Sequence, residues 1–134
     1  MKLIKEIRSK SGELHFKRWR LFSIPWVCSV YIHGIYKADE DNYLHNHPWN
    51  IWTMIIKGGY FEELHTGKHR LRLPGHTAYA NTSAFHKISK MHKTPTYTLA
   101  IVGRRKNQEW GYMVDGRFID HKTFRENKNK KRDL

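Results

Sequence analysis

Three observations in the sequence predict an all-β domain built as a sandwich or a barrel. Short apolar runs rich in Val, Ile, Thr, Tyr, Phe and Trp recur along the chain, each bounded by Gly, Pro, Asn or Asp. None of these runs approaches the ~20 residues that a membrane helix needs. His45 and His47 lie two apart, and His86 follows far downstream. An HxH pair on one strand and a lone histidine on a later one is how a small barrel builds a metal site in its mouth.

The elements follow in order. Residues 1–20 form a basic segment that reads as an edge strand or a short helix. Leu21 to Tyr36 is apolar and aromatic with Pro25 inside it, hence one or two strands. Lys37 to Asn42 is a polar loop. Trp49 to Lys57 is rich in β-formers; Gly58-Gly59 is expected to end it in a turn, with Tyr60 to Leu64 running back and Gly67 marking the next turn. Arg70-Leu71-Arg72-Leu73 alternates strictly, and Pro74-Gly75 breaks it. His76 to Ala80 and Phe85 to Lys90 are short strands. Thr96 to Val102 is the clearest buried strand, with Thr96, Thr98, Ala100 and Val102 on one face and Tyr97, Leu99 and Ile101 on the other. Glu109 to Val114 and Phe118-Ile119 form a last hairpin around Asp115-Gly116. From Asn127 the composition is polar and basic, a frayed tail. This divides the chain into a basic segment 1–20, a β-domain 21–126 and a basic tail 127–134.

The 134 residues fit one domain. The formal charge is +13, and the ends carry most of it: +5 in residues 1–20 and +4 in residues 121–134. Charged ends read first as solvated, and second as a surface for weak contact with nucleic acid or another polyanion. Cys28 is the only cysteine, so an intramolecular disulfide is excluded. That suits a reducing cytoplasm, and Cys28 itself reads as a small core residue in an apolar run. No apolar leader opens the chain, so neither secretion nor a membrane partner is expected.

Of the ten histidines, His15, His92 and His121 sit in polar, basic surroundings and read as surface residues. His65 and His69 flank the Gly67 turn. His33 and His76 lie in strand-like runs from which a cavity is within reach. His45 and His47 differ because Pro48 fixes the backbone after them and Trp49 and Trp52 supply apolar walls. A metal-bound imidazole must be neutral and oriented through its other nitrogen; Asn46, Asn50 and backbone carbonyls are candidates for that task. Arg70 and Arg72 share a strand face. Facing inward they hold a carboxylate or phosphate; facing outward, the reading the sequence favours, they are solvated. Tyr60, Tyr79 and Tyr97 are either wall or acid–base groups. Tyr60, Arg70 and Tyr97 are therefore the catalytic candidates.

Residues 45–86 resemble the two motifs of the cupin superfamily, the double-stranded β-helix or jelly-roll barrels. His45 and His47 match the HxH of the first motif and Gly58 its terminal glycine. Gly75 is similar to the glycine of the second motif, and Asn81 to Phe85 forms the turn leading to its lone histidine, His86. The HxHPW run, with Gly58-Gly59-Tyr60 and Glu109 to Tyr112, looks more narrowly like small bacterial and phage-type cupins. The resemblance implies a metal held by His45, His47 and His86. The acidic ligand of the first motif would fall at Ile51 or Trp52, which cannot bind metal. The implied set is thus three histidines, as in cupin thiol dioxygenases, with Asp39, Glu62 or Glu63 as carboxylates that another strand or loop could add. Such a set takes Fe(II), Zn, Ni, Mn or Cu.

The leading expectation is a metal-binding cupin enzyme acting on a small polar substrate, with dioxygenation first and isomerisation or metal-assisted hydrolysis next. The alternatives are a non-catalytic module that binds a ligand or nucleic acid, and a metal-free sugar epimerase or isomerase with a histidine general base paired to a carboxylate. A homodimer through edge strands is compatible with all three.

Overall fold

A computed structural model describes residues 1–39 and 43–132. The loop reading at Glu40 to Asn42 and the last two residues of the basic tail lie outside the described residues. Ten strands and one helix follow in order: β1 Lys2–Arg8, β2 Leu14–Ile24, β3 Cys28–Ile35, β4 Leu44–His45, β5 Ile51–Leu64, β6 His69–Arg72, β7 Thr77–Ala80, β8 His86–Gly103, β9 Gly111–Val114, β10 Arg117–Asp120 and α1 His121–Arg132.

Among the described residues all paired strands run antiparallel, and two long strands organise the whole. β5 pairs with β8 from Ile51↔Val102 to Leu64↔His86. The first half of β5 also pairs with β7, and the second half with β6. The second half of β8 pairs with β3, which leads through β2 to β1. His86, at the start of β8, pairs with His45 of β4, which leads through β9 to β10. β5 and β8 are therefore members of both layers of a jelly roll. Among the described residues the ladder does not close on itself.

Three sequence expectations differ from the structure. Gly58-Gly59 makes no turn; β5 runs straight through it. Both glycines have positive φ (90° and 146°), and the register with β8 shifts on either side. Only a residue without a Cβ takes these angles cheaply, so the pair lets one strand bend from layer to layer without breaking. A Cβ on Gly58 would lie 2.6 Å from Thr96 Oγ1 and 2.7 Å from the Pro95 carbonyl. For the same reason Phe85 to Lys90 and Thr96 to Val102 are one bent strand, not two. The basic C-terminal segment is also ordered further than its composition indicates. α1 starts where Asp120 accepts the Lys122 and Thr123 amides, an N-cap. Phe124 then stacks on Tyr112, with centroids 4.0 Å apart. The Asp115-Gly116 hairpin forms as read, with φ of 50° and 79° at its two turn residues. The basic segment at the N-terminus supplies an edge strand, β1, and the first half of β2.

Between the layers lies a small core of Ile35, Ile55 and Tyr60, with Phe16, Ile88 and Met91 packed against it. The buried face of β8 is its threonine face: Thr96 and Thr98 are 0% and 2% exposed. Thr96 Oγ1 bonds the amide and carbonyl of Gly59 and the Lys93 carbonyl, so its hydroxyl is satisfied inside the bend. Cys28 is half-buried at the start of β3, short of the core position expected for it.

Gly58→Ala is expected to destabilise the fold by about 3 kcal/mol, from strained φ together with the clash. Gly116→Ala, where nothing lies within 4 Å, should lose only about 1 kcal/mol. Urea unfolding checks this through the two midpoints, at unchanged m-value.

Candidate metal centre

His45 is placed by strand pairing, opposite His86 on β8 and Tyr112 on β9. β4 ends there, so strand alternation alone does not carry the chain to His47. Asn46 does so instead. It is 3% exposed; its amide donates to the Gly111 carbonyl (3.2 Å) and its Oδ1 accepts the Gly111 amide (2.8 Å). Its Nδ2 donates to the Thr82 carbonyl, and Asn50 Oδ1 accepts the Thr82 amide. These two asparagines bind backbone and hold the HxHPW segment in place, where the sequence offered them as partners for the imidazoles.

The three histidines converge. Their ring centroids lie 4.9 Å (His45–His86), 5.1 Å (His45–His47) and 5.4 Å (His47–His86) apart. One nitrogen from each ring falls within 4.8 Å of the others. His47 Nε2 and His86 Nε2 are 3.2 Å apart. Metal–nitrogen bonds of about 2.0–2.1 Å at a tetrahedral angle separate two ligand nitrogens by about 3.4 Å, so the His47–His86 spacing suits two ligands of one divalent ion. Burial, with the nearby His45 and His86 charges, holds the His47 proton affinity well below that of a free imidazole. The ring is neutral at neutral pH, as ligation requires.

Glu62 occupies the neighbouring place, as orienter of a histidine. Its Oε2 accepts from His86 Nδ1 at 2.7 Å and its Oε1 from Arg70 Nε at 2.6 Å. This leaves His86 Nε2 facing the cluster. Burial works to raise the carboxyl pKa, but the hydrogen bond from His86 and the charges of His86 and Arg70 outweigh it and lower it overall. Glu63 instead pairs with His69 and Lys87. Asp39 lies at the cavity mouth, its Oδ2 accepting the Ile88 amide at 2.6 Å.

The cluster opens onto a cavity of about 340 Å³ lined by His33, Trp49, Ile51, Thr53, Tyr60, Thr98 and Arg18, among others. Trp49 stacks on His47, with planes 11° apart, and Pro48 between them in sequence is fully buried. Trp52 is no wall: Ile51 and Thr53 take the inward positions, and Trp52 lies opposite Tyr79 and Ile101 on the other face.

The three catalytic candidates part company. Tyr60 lines the cavity, but its hydroxyl accepts from Arg72, and burial pushes its pKa up to about 12. It is a poor proton donor or acceptor at neutral pH. Half-exposed Arg70 is tied to the buried Glu62 carboxylate, and Arg72, read from the sequence as solvated, is instead buried against Tyr60 and Thr53; neither arginine lines the cavity. Tyr97 faces away, among Tyr36 and Trp19. Of the other histidines, His33 does line the cavity, as does His15, read as surface. His76 caps a turn by accepting the Leu73 amide, and His121 stacks on Trp110 with centroids 4.3 Å apart.

Sequence reading missed Arg18. It reaches the same cavity from β2, with its Nε donating to His33 Nε2 at 3.1 Å. The signal for it was weak: the register Lys5↔Arg18↔His33↔Thr98 that aligns these side chains is a property of four paired strands.

No protein-family model and no curated protein matches the chain. Solved structures do. A cupin-2 domain protein from Rhodospirillum rubrum superposes with a TM-score of 0.63 over 96% of this chain and 81% of its own, at 12% identity. The DMSP lyase DddQ from Ruegeria pomeroyi gives 0.58 over 78% and 55%, at 13% identity. The Fe(II) form of HppE gives 0.56 over 75% and 56%, at 12% identity. The chain thus spans little more than half the length of the last two. At these identities the likeness is one of fold alone, the fold of a cupin-2 domain. Among the described residues no helix is long and apolar enough to cross a membrane.

Burial, with the charges of Arg18 and Lys5, holds His33 at about 3 against about 6.5 for a free imidazole. Between those values the unfolded chain binds a proton that the folded chain excludes. Stability contributed by His33 is therefore complete above about pH 6.5 and falls as pH drops toward 3, by up to about 1.4 kcal/mol per pH unit. His33→Gln should flatten the fall in urea midpoint between about pH 6.5 and 4 by one proton's worth.

Proposed function

We propose that this chain is a divalent-metal-dependent cupin enzyme acting on a small polar substrate, with His45, His47 and His86 as the metal ligands. The reading is carried by one observation: three imidazole nitrogens lie within 4.8 Å of one another at the wall of a cavity. Two structures of like fold support it, one a DMSP lyase and one an Fe(II) form of HppE. A bound ion would supply a Lewis-acid centre with open positions for substrate, water or O₂. Dioxygenation is the first reaction to assay, then isomerisation and hydrolysis.

The chain's own residues do the rest. Glu62 fixes the His86 tautomer with the proton on Nδ1, leaving Nε2 as the donor atom. Trp49, stacked on His47, covers one face of its ring. Arg72 holds the Tyr60 hydroxyl, so this phenol shapes the cavity wall and keeps its proton.

A second reading has its own support. A metal-free epimerase would use a histidine base oriented by a carboxylate, and the 2.7 Å contact between His86 and Glu62 is such a pair. Metal content separates the two. Untagged wild-type protein is expected to retain about one divalent ion per chain, and His47→Ala to lose it, by elemental analysis. Metal content that is far below stoichiometric and indifferent to His47→Ala would refute the metal reading. Glu62→Gln should weaken metal affinity about 10- to 100-fold by chelator competition, with the ligands intact.

A further inference from the structure

We infer that Arg18, held by His33 and assisted by Lys5, is an anion-binding subsite beside the three histidines, and that the natural ligand is a small organic anion. Strand register sets the arrangement. Lys5 of β1 lies opposite Arg18 of β2, Arg18 opposite His33 of β3, and His33 opposite Thr98 of β8. Arg18, His33 and Lys5 line the same cavity as His45 and His47, and Arg18 and Lys5 reappear beside His47, Pro48 and Trp49 in the adjoining space.

What distinguishes Arg18 is the company it keeps. Its Nε donates to His33 Nε2, and its guanidinium sits 5.6 Å from the Phe16 ring centre and 5.1 Å from that of Tyr31. Each of these partners is uncharged at neutral pH, since His33 resists protonation where it is buried. Among the described residues Arg18 and Lys5 form no salt bridge, whereas Arg70 is paired with Glu62 and Lys37 with Glu13. Among the described side chains lining the cavity, Asp39 is the only carboxylate; its Oδ2 accepts the Ile88 amide, and it forms no salt bridge with Arg18 or Lys5. A guanidinium remains protonated even when partly buried. Oriented by neutral groups, it carries its charge into the cavity, and among the described residues its terminal nitrogens make no hydrogen bond. Such a charge is stabilised by a ligand that brings the counter-charge. Two terminal nitrogens side by side suit the two oxygens of a carboxylate or of a phosphate-type headgroup.

The assignment rests on the metal reading only for the direction of the rest of the ligand, which would extend from Arg18 toward the histidines. The two readings are separable by calorimetric titration of Zn-loaded and of chelator-treated protein with malonate, inorganic phosphate and the neutral malonamide. Wild type should bind at least one of the anions about tenfold or more tighter than malonamide in both forms. Arg18→Gln should lose about 10- to 100-fold in that affinity with its zinc content unchanged, and Arg18→Lys should keep part of it. His33 is a positioning residue: His33→Gln, which still offers an acceptor to Nε, should retain the affinity that His33→Phe loses. Failure of zinc to bind would count against the metal centre alone, because the chelator-treated arm still reads Arg18. Equal anion affinity in wild type and Arg18→Gln, or no preference for either anion over malonamide, would overturn the subsite.

Discussion

The pairing of β5 with β8 along their whole length, bulged at Gly58-Gly59, is the constraint from which the rest of the molecule follows. It brings Glu62 next to the start of β8, where His86 stands opposite Leu64, and it keeps the Thr98 face of β8 inside, beside His33. The bend at Gly58-Gly59 allows one pair of strands to serve both layers, and Thr96 absorbs the polar backbone exposed by that bend. Without it, the strand carrying Arg18 and the strand carrying His45 would not face one cavity.

Polarity inside the barrel is graded. The floor is a small apolar core around Ile55, while the wall above it holds imidazoles, a phenol and a guanidinium. Buried polar side-chain atoms among the described residues all find partners, so these groups are held in defined rotamers. Glu62 is central to that order. It links a histidine of the cluster to Arg70 at the surface, so the orientation of His86 is tied to an ion pair with one solvated member. A buried carboxylate with two donors stays ionised, and an ionised Glu62 keeps the His86 proton on Nδ1.

Much of this was legible in the sequence. The HxHPW run and the lone His86 named the cluster, and alternation in Thr96 to Val102 identified a buried face. The turn residues located the hairpins at Gly67 and Asp115-Gly116. What escaped were features that belong to pairs of strands. A glycine pair reads as a turn unless the partner that bends with it is known. Arg70 and Arg72 alternate as candidate ligand-binding residues do, but Glu62 and Tyr60 across the ladder claim them. Arg18 looked like one basic residue in a basic segment, and only its register with His33 sets it apart. The basic C-terminal segment reads as a tail because the Asp120 cap and the stacking of Phe124 on Tyr112 lie outside its own composition.

The central claim is that His45, His47 and His86 together bind one ion. X-ray absorption fine structure of the zinc-loaded protein tests it most directly. The account predicts three imidazole nitrogens at about 2.0–2.1 Å, with the rest of the shell filled by light, non-protein oxygen ligands. A shell with fewer than three imidazoles, or one unchanged when His86 is replaced by Ala, would contradict it.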